Sequence, residues 1–123
     1  MAEYMIVNEA IKENKFMVFS KTYCGHSGLV RKILRGCNIK YGFLELDLTE
    51  NGNLIHFVLK RKTDETTLPY IFIEGKYIGG WKDLLEMKKS GELAKIVNRK
   101  QKYDIEDIIR SYHALEYMKY DYV

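Results

Sequence analysis

Hydrophobic and polar positions change period several times along the chain, and each change marks an element. Val7, Ala10 and Ile11 recur at helical spacing while Glu9, Lys12 and Glu13 take the other face, which predicts a helix over residues 2–14. Phe16–Phe19 is an unbroken apolar run, the mark of a central strand buried on both faces. A short loop, Ser20–Gly25, follows it. Leu29, Val30, Ile33 and Leu34 then fall on one face of a second helix, with Gly36 suited to its end. From Phe43 to Leu48 the pattern alternates, with Leu44, Leu46 and Leu48 on one side and Glu45 and Asp47 on the other, which predicts a half-buried strand.

Helical spacing returns over residues 53–62, where Leu54, Ile55, Val58 and Leu59 are expected to face inward. Tyr70–Ile73 and Tyr77–Ile78 read as two strands joined at Glu74-Gly75-Lys76, a hairpin that Gly79-Gly80 ends. Trp81, Leu84 and Leu85 open another helix; Leu93, Ile96 and Val97 continue it after a break at Gly91. A βαβ unit followed by a ββα unit makes a small mixed α/β sheet with helices on both faces. Asp104 is placed to cap one more helix, with Glu106 and Asp107 in its first turn and an apolar stripe of Ile105, Ile108, Ile109, Tyr112 and Leu115. The expected organisation is one domain over residues 1–97 and a helical extension over 98–123 that docks on it.

Composition narrows the function. At 123 residues the chain can bury a core without disulfide staples, and its net charge of +3 is too small and scattered to argue for nucleic acid. Two cysteines, Cys24 and Cys37, exclude a disulfide scaffold and an all-cysteine zinc site. No apolar run is long enough to span a membrane as a helix. Charges scattered through residues 1–15 predict no signal peptide, so the expected compartment is the cytoplasm, where free thiols persist.

Chemistry concentrates at Cys24, between a central strand and the start of a helix. Unpaired amides and the positive end of a helix dipole favour a thiolate there, and Lys21 adds a cation. A thiolate is the nucleophile of thiol–disulfide exchange. The bland alternative is a buried, inert cysteine. Cys37 fits that bland role, as packing on the buried helix face. It stands 13 positions from Cys24, about 20 Å along a helix, whereas a disulfide needs Cα atoms within about 7 Å.

The segment Lys21-Thr22-Tyr23-Cys24-Gly25-His26-Ser27 resembles the active-site loop of glutaredoxins. Thr67-Leu68-Pro69 is similar to that family's Thr-Val-Pro segment, whose proline is cis, and Pro69 is the chain's single proline. Gly79-Gly80 with Asp83, and Ser90-Gly91-Glu92-Leu93, resemble further stretches of the family in the right order. The resemblance runs from Phe16 to Val97. It implies a thioredoxin fold, here a glutaredoxin-like four-stranded mixed sheet with flanking helices plus an extra C-terminal helix. It also implies a glutathione site. Lys21 would contact the glycine carboxylate, Tyr23 and Thr67 would line the site, and the Leu68 backbone beside Pro69 would pair with the cysteinyl part. Amides after Gly80, those of Trp81 and Lys82, would bind the γ-glutamyl carboxylate, an anion at a helix start. Asp83 would hold the ammonium. His56 either reaches the glycine carboxylate or is a solvated helix residue.

The departures from the family matter as much. Ser27 replaces the second cysteine of Cys-Pro-Tyr-Cys, so the implied mechanism is monothiol: Cys24 takes glutathione from a glutathionylated protein or small disulfide, and a second glutathione releases it. Loops of the form Cys-Gly-Phe-Ser bind a [2Fe–2S] cluster between two chains and two glutathiones. The short Lys21–Cys24 spacing and the absence of a Trp-Pro favour the enzyme, a monomer; the alternative is a cluster-bound homodimer with Cys24 as the metal ligand. His26 replaces an aromatic residue. Its imidazole either packs beside bound glutathione or moves a proton at the thiol. Trp81 stands where the family has a small residue, and either narrows entry or makes a protein contact. A third reading is an interaction protein that keeps the fold without turnover.

Overall fold

The structure, a computed structural model, describes residues 2–98. The chain runs α1 (Ala2–Glu13), β1 (Phe16–Ser20), α2 (Ser27–Gly36), β2 (Gly42–Glu45), a 3-10 turn (Leu46–Leu48), α3 (Gly52–Thr63), β3 (Tyr70–Ile73), β4 (Lys76–Gly79), α4 (Trp81–Ser90) and α5 (Glu92–Asn98). The predicted helix over 104–118 lies outside the described residues.

The sheet has the order β2-β1-β3-β4. β1 pairs with β2 in parallel and with β3 antiparallel, and β3 pairs antiparallel with β4. This is the four-stranded mixed sheet of the thioredoxin fold. Strand geometry sends successive side chains to opposite faces, so the apolar run of β1 serves two cores. Phe16 and Val18, with Ile71 and Ile73 of β3, pack beneath α2, α4 and α5. Met17 and Phe19, with Tyr70 and Phe72, pack beneath α1 and α3. Lys15, at the turn into β1, donates from Nζ to the Ile96 carbonyl at 2.9 Å and ties α5 to the base of the sheet.

The second strand ends sooner than its alternating pattern predicts. After Glu45 the chain winds into the 3-10 turn, burying Leu46 at 2% exposure and leaving Leu48 at 74%. Alternation cannot distinguish this ending from a strand, because residues 46 and 48 sit on one face only if the chain stays extended. The following helix packs on the turn: a Cβ at Gly52 would stand 1.7 Å from the Leu46 carbonyl oxygen, so only glycine fits there. Leu54, expected inside, is exposed with Phe57, and α3 buries Ile55, Val58 and Leu59.

One polar network fixes the loop between α3 and β3. The Tyr70 hydroxyl donates to the Glu65 carbonyl at 2.7 Å, and the His56 Nε2 stands 3.2 Å from the same hydroxyl. The Tyr70 proton is engaged by Glu65, so this bond requires a proton on the His56 Nε2. Burial, with Lys60 and Lys21 adding repulsion, holds His56 below its ordinary 6.5. Burial, with Tyr77 and Glu65 adding to it, pushes Tyr70 up to about 12.

Two predictions follow from this packing. Leu46→Ala should lower unfolding free energy by about 2–4 kcal/mol and Leu48→Ala by less than about 0.5 kcal/mol in urea titrations; equal losses would return Leu48 to the core. The network should also bend stability at both pH extremes. Unfolded His56 binds a proton near pH 6.5 that the folded chain resists, so its contribution is full above that value and declines as pH falls. Tyr70 contributes fully below pH 10 and loses its contribution as pH rises toward about 12. Between about pH 7.5 and 5.5, His56→Gln should show a shallower fall in melting temperature than the parent chain, and Tyr70→Phe a shallower alkaline fall. Parallel curves would remove the network from the account.

Candidate functional site

The C-terminal end of β1 delivers the cysteine loop. Past Ser20 the chain turns back on itself: the Cys24 N–H donates to the Lys21 carbonyl at 3.0 Å, and the Ser27 N–H donates to the Cys24 carbonyl at 3.1 Å. Ser27 is buried, and its hydroxyl donates to that same Cys24 carbonyl at 2.9 Å. The Ser27 amide and hydroxyl therefore close the turn together. α2 begins at Ser27, so Cys24 stands just ahead of the helix start, half-buried.

The front of the loop is fastened across the sheet. The Thr22 N–H donates to the Asp47 Oδ1 at 3.0 Å, and the Thr22 hydroxyl donates to Oδ2. The Thr22 hydroxyl bond, more than anything else, holds the Asp47 carboxyl below its usual range. Asp47 escapes notice in the sequence because the alternating pattern assigns it to a solvated strand face. Tyr23 is exposed, and the Lys21 Nζ lies 5.6 Å from its ring centre.

The second half of the site is a pocket of about 520 Å³ lined by Glu65, Thr67, Leu68 and the run Tyr77 to Asp83. The Leu68–Pro69 peptide is cis, and Thr67 and Leu68 line one edge of the pocket. The other edge is the start of α4. There the first helical amides lack partners within the helix, and the helix dipole is positive. Asp83 reaches back so that its Oδ2 accepts from the Gly80 N–H at 2.9 Å. This fold-back needs glycine at position 79: φ is +123°, and a Cβ would stand 2.2 Å from the Asp83 carboxylate.

Of the residues singled out from sequence, Thr67, Leu68, Gly80, Trp81, Lys82 and Asp83 line this one pocket, with Pro69 buried behind it. Lys21, Tyr23, Cys24, His26 and Ser27 sit on the neighbouring loop. His56 does not line the pocket; it stands next to it, its Nε2 3.2 Å from the Tyr70 hydroxyl and within reach of the Lys21 charge. Glu65, Tyr77 and Ile78 line the pocket without a sequence signal: Glu65 lies in an aperiodic loop, and a strand read as two residues is too short to show which way its side chains point. Burial pushes the Tyr77 phenol up, with Glu65 and Asp83 adding to it. The loop and the pocket meet at a ring contact. The His26 imidazole stacks on the Trp81 indole with centroids 4.6 Å apart and planes 12° from parallel. Both cysteines are free, and among the described residues no group of three or more His, Cys, Asp or Glu is arranged to hold a metal ion.

The chain has relatives among known proteins. The glutaredoxin family model matches residues 16–78. Glutaredoxin-2, mitochondrial, of Mus musculus is 37% identical over 93 residues, 76% of this chain and 60% of that protein. The chain thus spans about three-fifths of that relative's length. Glutaredoxin-1 of Rhizophagus irregularis is 38% identical over 91 residues, 74% of this chain and 90% of that protein. Among solved structures, a buckwheat glutaredoxin–glutathione complex superposes with a TM-score of 0.75 at 33% identity, covering 77% of this chain and 86% of that one. The family match opens on the first residue of β1 and closes inside β4, taking in the whole sheet apart from its last residue, the cysteine loop and the cis-proline turn; the chain belongs to the glutaredoxin family.

Proposed function

We propose that this protein is a glutathione-dependent thiol–disulfide oxidoreductase that works with one cysteine, Cys24. The observation that carries the reading is the placement of a half-buried thiol on a loop that abuts a pocket with an anion-binding helix start. The buckwheat relative, solved with glutathione, supplies the ligand class.

In this reading the γ-glutamyl carboxylate sits on the Trp81 and Lys82 amides, with the Lys82 side chain adding charge. Asp83 already gives Oδ2 to Gly80, which leaves Oδ1 for the ammonium. The Leu68 backbone at the cis-proline turn pairs with the cysteinyl peptide. Lys21, beside the exposed Tyr23 ring, takes the glycine carboxylate.

The Cys24 thiolate attacks the glutathione sulfur of a mixed disulfide. The substrate's S–S bond breaks, its thiolate leaves and takes a proton, and Cys24 carries glutathione as a new disulfide. A second glutathione, as thiolate, attacks that sulfur, so glutathione disulfide departs and the Cys24 thiolate returns. Net, one glutathione thiol and the mixed disulfide become the free substrate thiol and glutathione disulfide, one disulfide bond exchanged for another. Ser27 cannot form a competing disulfide, and α2 separates Cys37 from Cys24.

Ligation of a [2Fe–2S] cluster is the other reading. Such a cluster needs four thiolates or equivalents, and the pocket side of one chain brings Cys24 alone, so a second copy and two glutathiones would complete the set.

Glutathione-dependent reduction of a glutathionylated peptide tests the proposal. Turnover should vanish in Cys24→Ser and persist in Cys37→Ser. Residual turnover in Cys24→Ser would end the nucleophile assignment, and its loss in a well-folded Cys37→Ser would end the one-cysteine mechanism. Folded but inactive protein that is brown and dimeric when prepared without oxygen would shift the assignment to the cluster.

A further inference from the structure

We propose that the stacked rings of His26 and Trp81 hold the Cys24 loop in register with the pocket, which makes His26 a positioning residue. The proposal rests on the glutathione-site reading above.

The Ser27 amide and hydroxyl on the Cys24 carbonyl close the turn within the loop, but neither bond ties the loop to the pocket. Gly25 follows the reactive cysteine, and a Cβ at that position would meet nothing within 4 Å. Neither a side chain nor a proline ring limits the backbone there, and glycine has the widest conformational freedom of any residue. Ahead of Cys24 the loop is pinned through Thr22 to Asp47. Behind Gly25, the His26 side chain makes no capping bond to α2, although it occupies the N-cap position. Its ring lies instead on the indole, 4.6 Å away and nearly parallel. An exposed imidazole held flat on a half-buried ring is a directed contact.

The partner's position gives the contact its consequence. Trp81 is the first residue of α4, so the ring that receives His26 sits on the residue whose amide opens the anion site. The indole is itself packed against the core beneath α2, α4 and α5. The stack therefore links the thiol loop to the end of the pocket that takes the ligand's carboxylate, and a reacting sulfur displaced by even 1 Å reacts far more slowly.

A double-mutant cycle in the Cys37→Ser background tests this with two chemical probes. Glutathione disulfide must use the pocket to react with Cys24; iodoacetamide needs only the thiol. His26→Leu should slow mixed-disulfide formation roughly three- to tenfold, the range of an aromatic pair, and leave the iodoacetamide rate unchanged. It should also alter the emission of Trp81, the chain's sole tryptophan. His26→Phe, which keeps a flat ring, should restore both the rate and the emission. In a Trp81→Leu background, His26→Leu should cost almost nothing further. Equal costs in both backgrounds would overturn the proposal, as would a parallel loss with iodoacetamide, which would place His26 at the thiol's proton instead. If the parent chain forms no mixed disulfide with glutathione disulfide, the glutathione reading fails; if it does and emission ignores His26→Leu, the stack fails alone.

Discussion

Everything at the site hangs from β1. It is the strand paired on both edges, to β2 and to β3, and covered on both faces. Five consecutive buried residues leave it no freedom to slide, since a one-residue slip would exchange its two cores. The cysteine loop starts where that strand ends. The cis-proline turn leads into β3, the strand paired with it. The two halves of the site therefore inherit their relative position from a ladder of backbone hydrogen bonds. Side chains then refine it, through Thr22 on Asp47 at one flank and His26 on Trp81 at the other.

Most of this frame is legible in the sequence because it is local or periodic. An unbroken Phe-Met-Val-Phe run, too short for a helix and followed by a loop, reads as a strand covered on both sides. The lone proline and the paired glycines mark backbone shapes that few residues allow. Such signals are read one segment at a time. The pocket residues Thr67, Leu68 and Gly80–Asp83 were accessible to that reading since they lie beside those marks.

What escapes is chemistry made by two distant segments. Asp47 looks like the polar side of a strand, and only the 3-10 turn brings it to Thr22, 25 positions earlier. His56 sits at the rim of a helix in any periodic reading, yet its partner Tyr70 arrives from another strand. His26 and Trp81 are each visible as departures from the family, but nothing along the chain says that they touch. Leu48 shows the converse error, a periodic signal that persists for one turn after the strand has ended.

Asp83 ties two properties that selection ordinarily adjusts separately. One oxygen of its carboxylate starts α4 by accepting from Gly80, and Gly79 must lack a side chain to admit it. In a descendant of this protein that no longer used the pocket, the carboxylate would still stabilise the helix start by about 0.5–2 kcal/mol. The pair would then outlast the activity. An aspartate in this place, behind two glycines, is a record of how the helix starts before it is a record of what the protein binds.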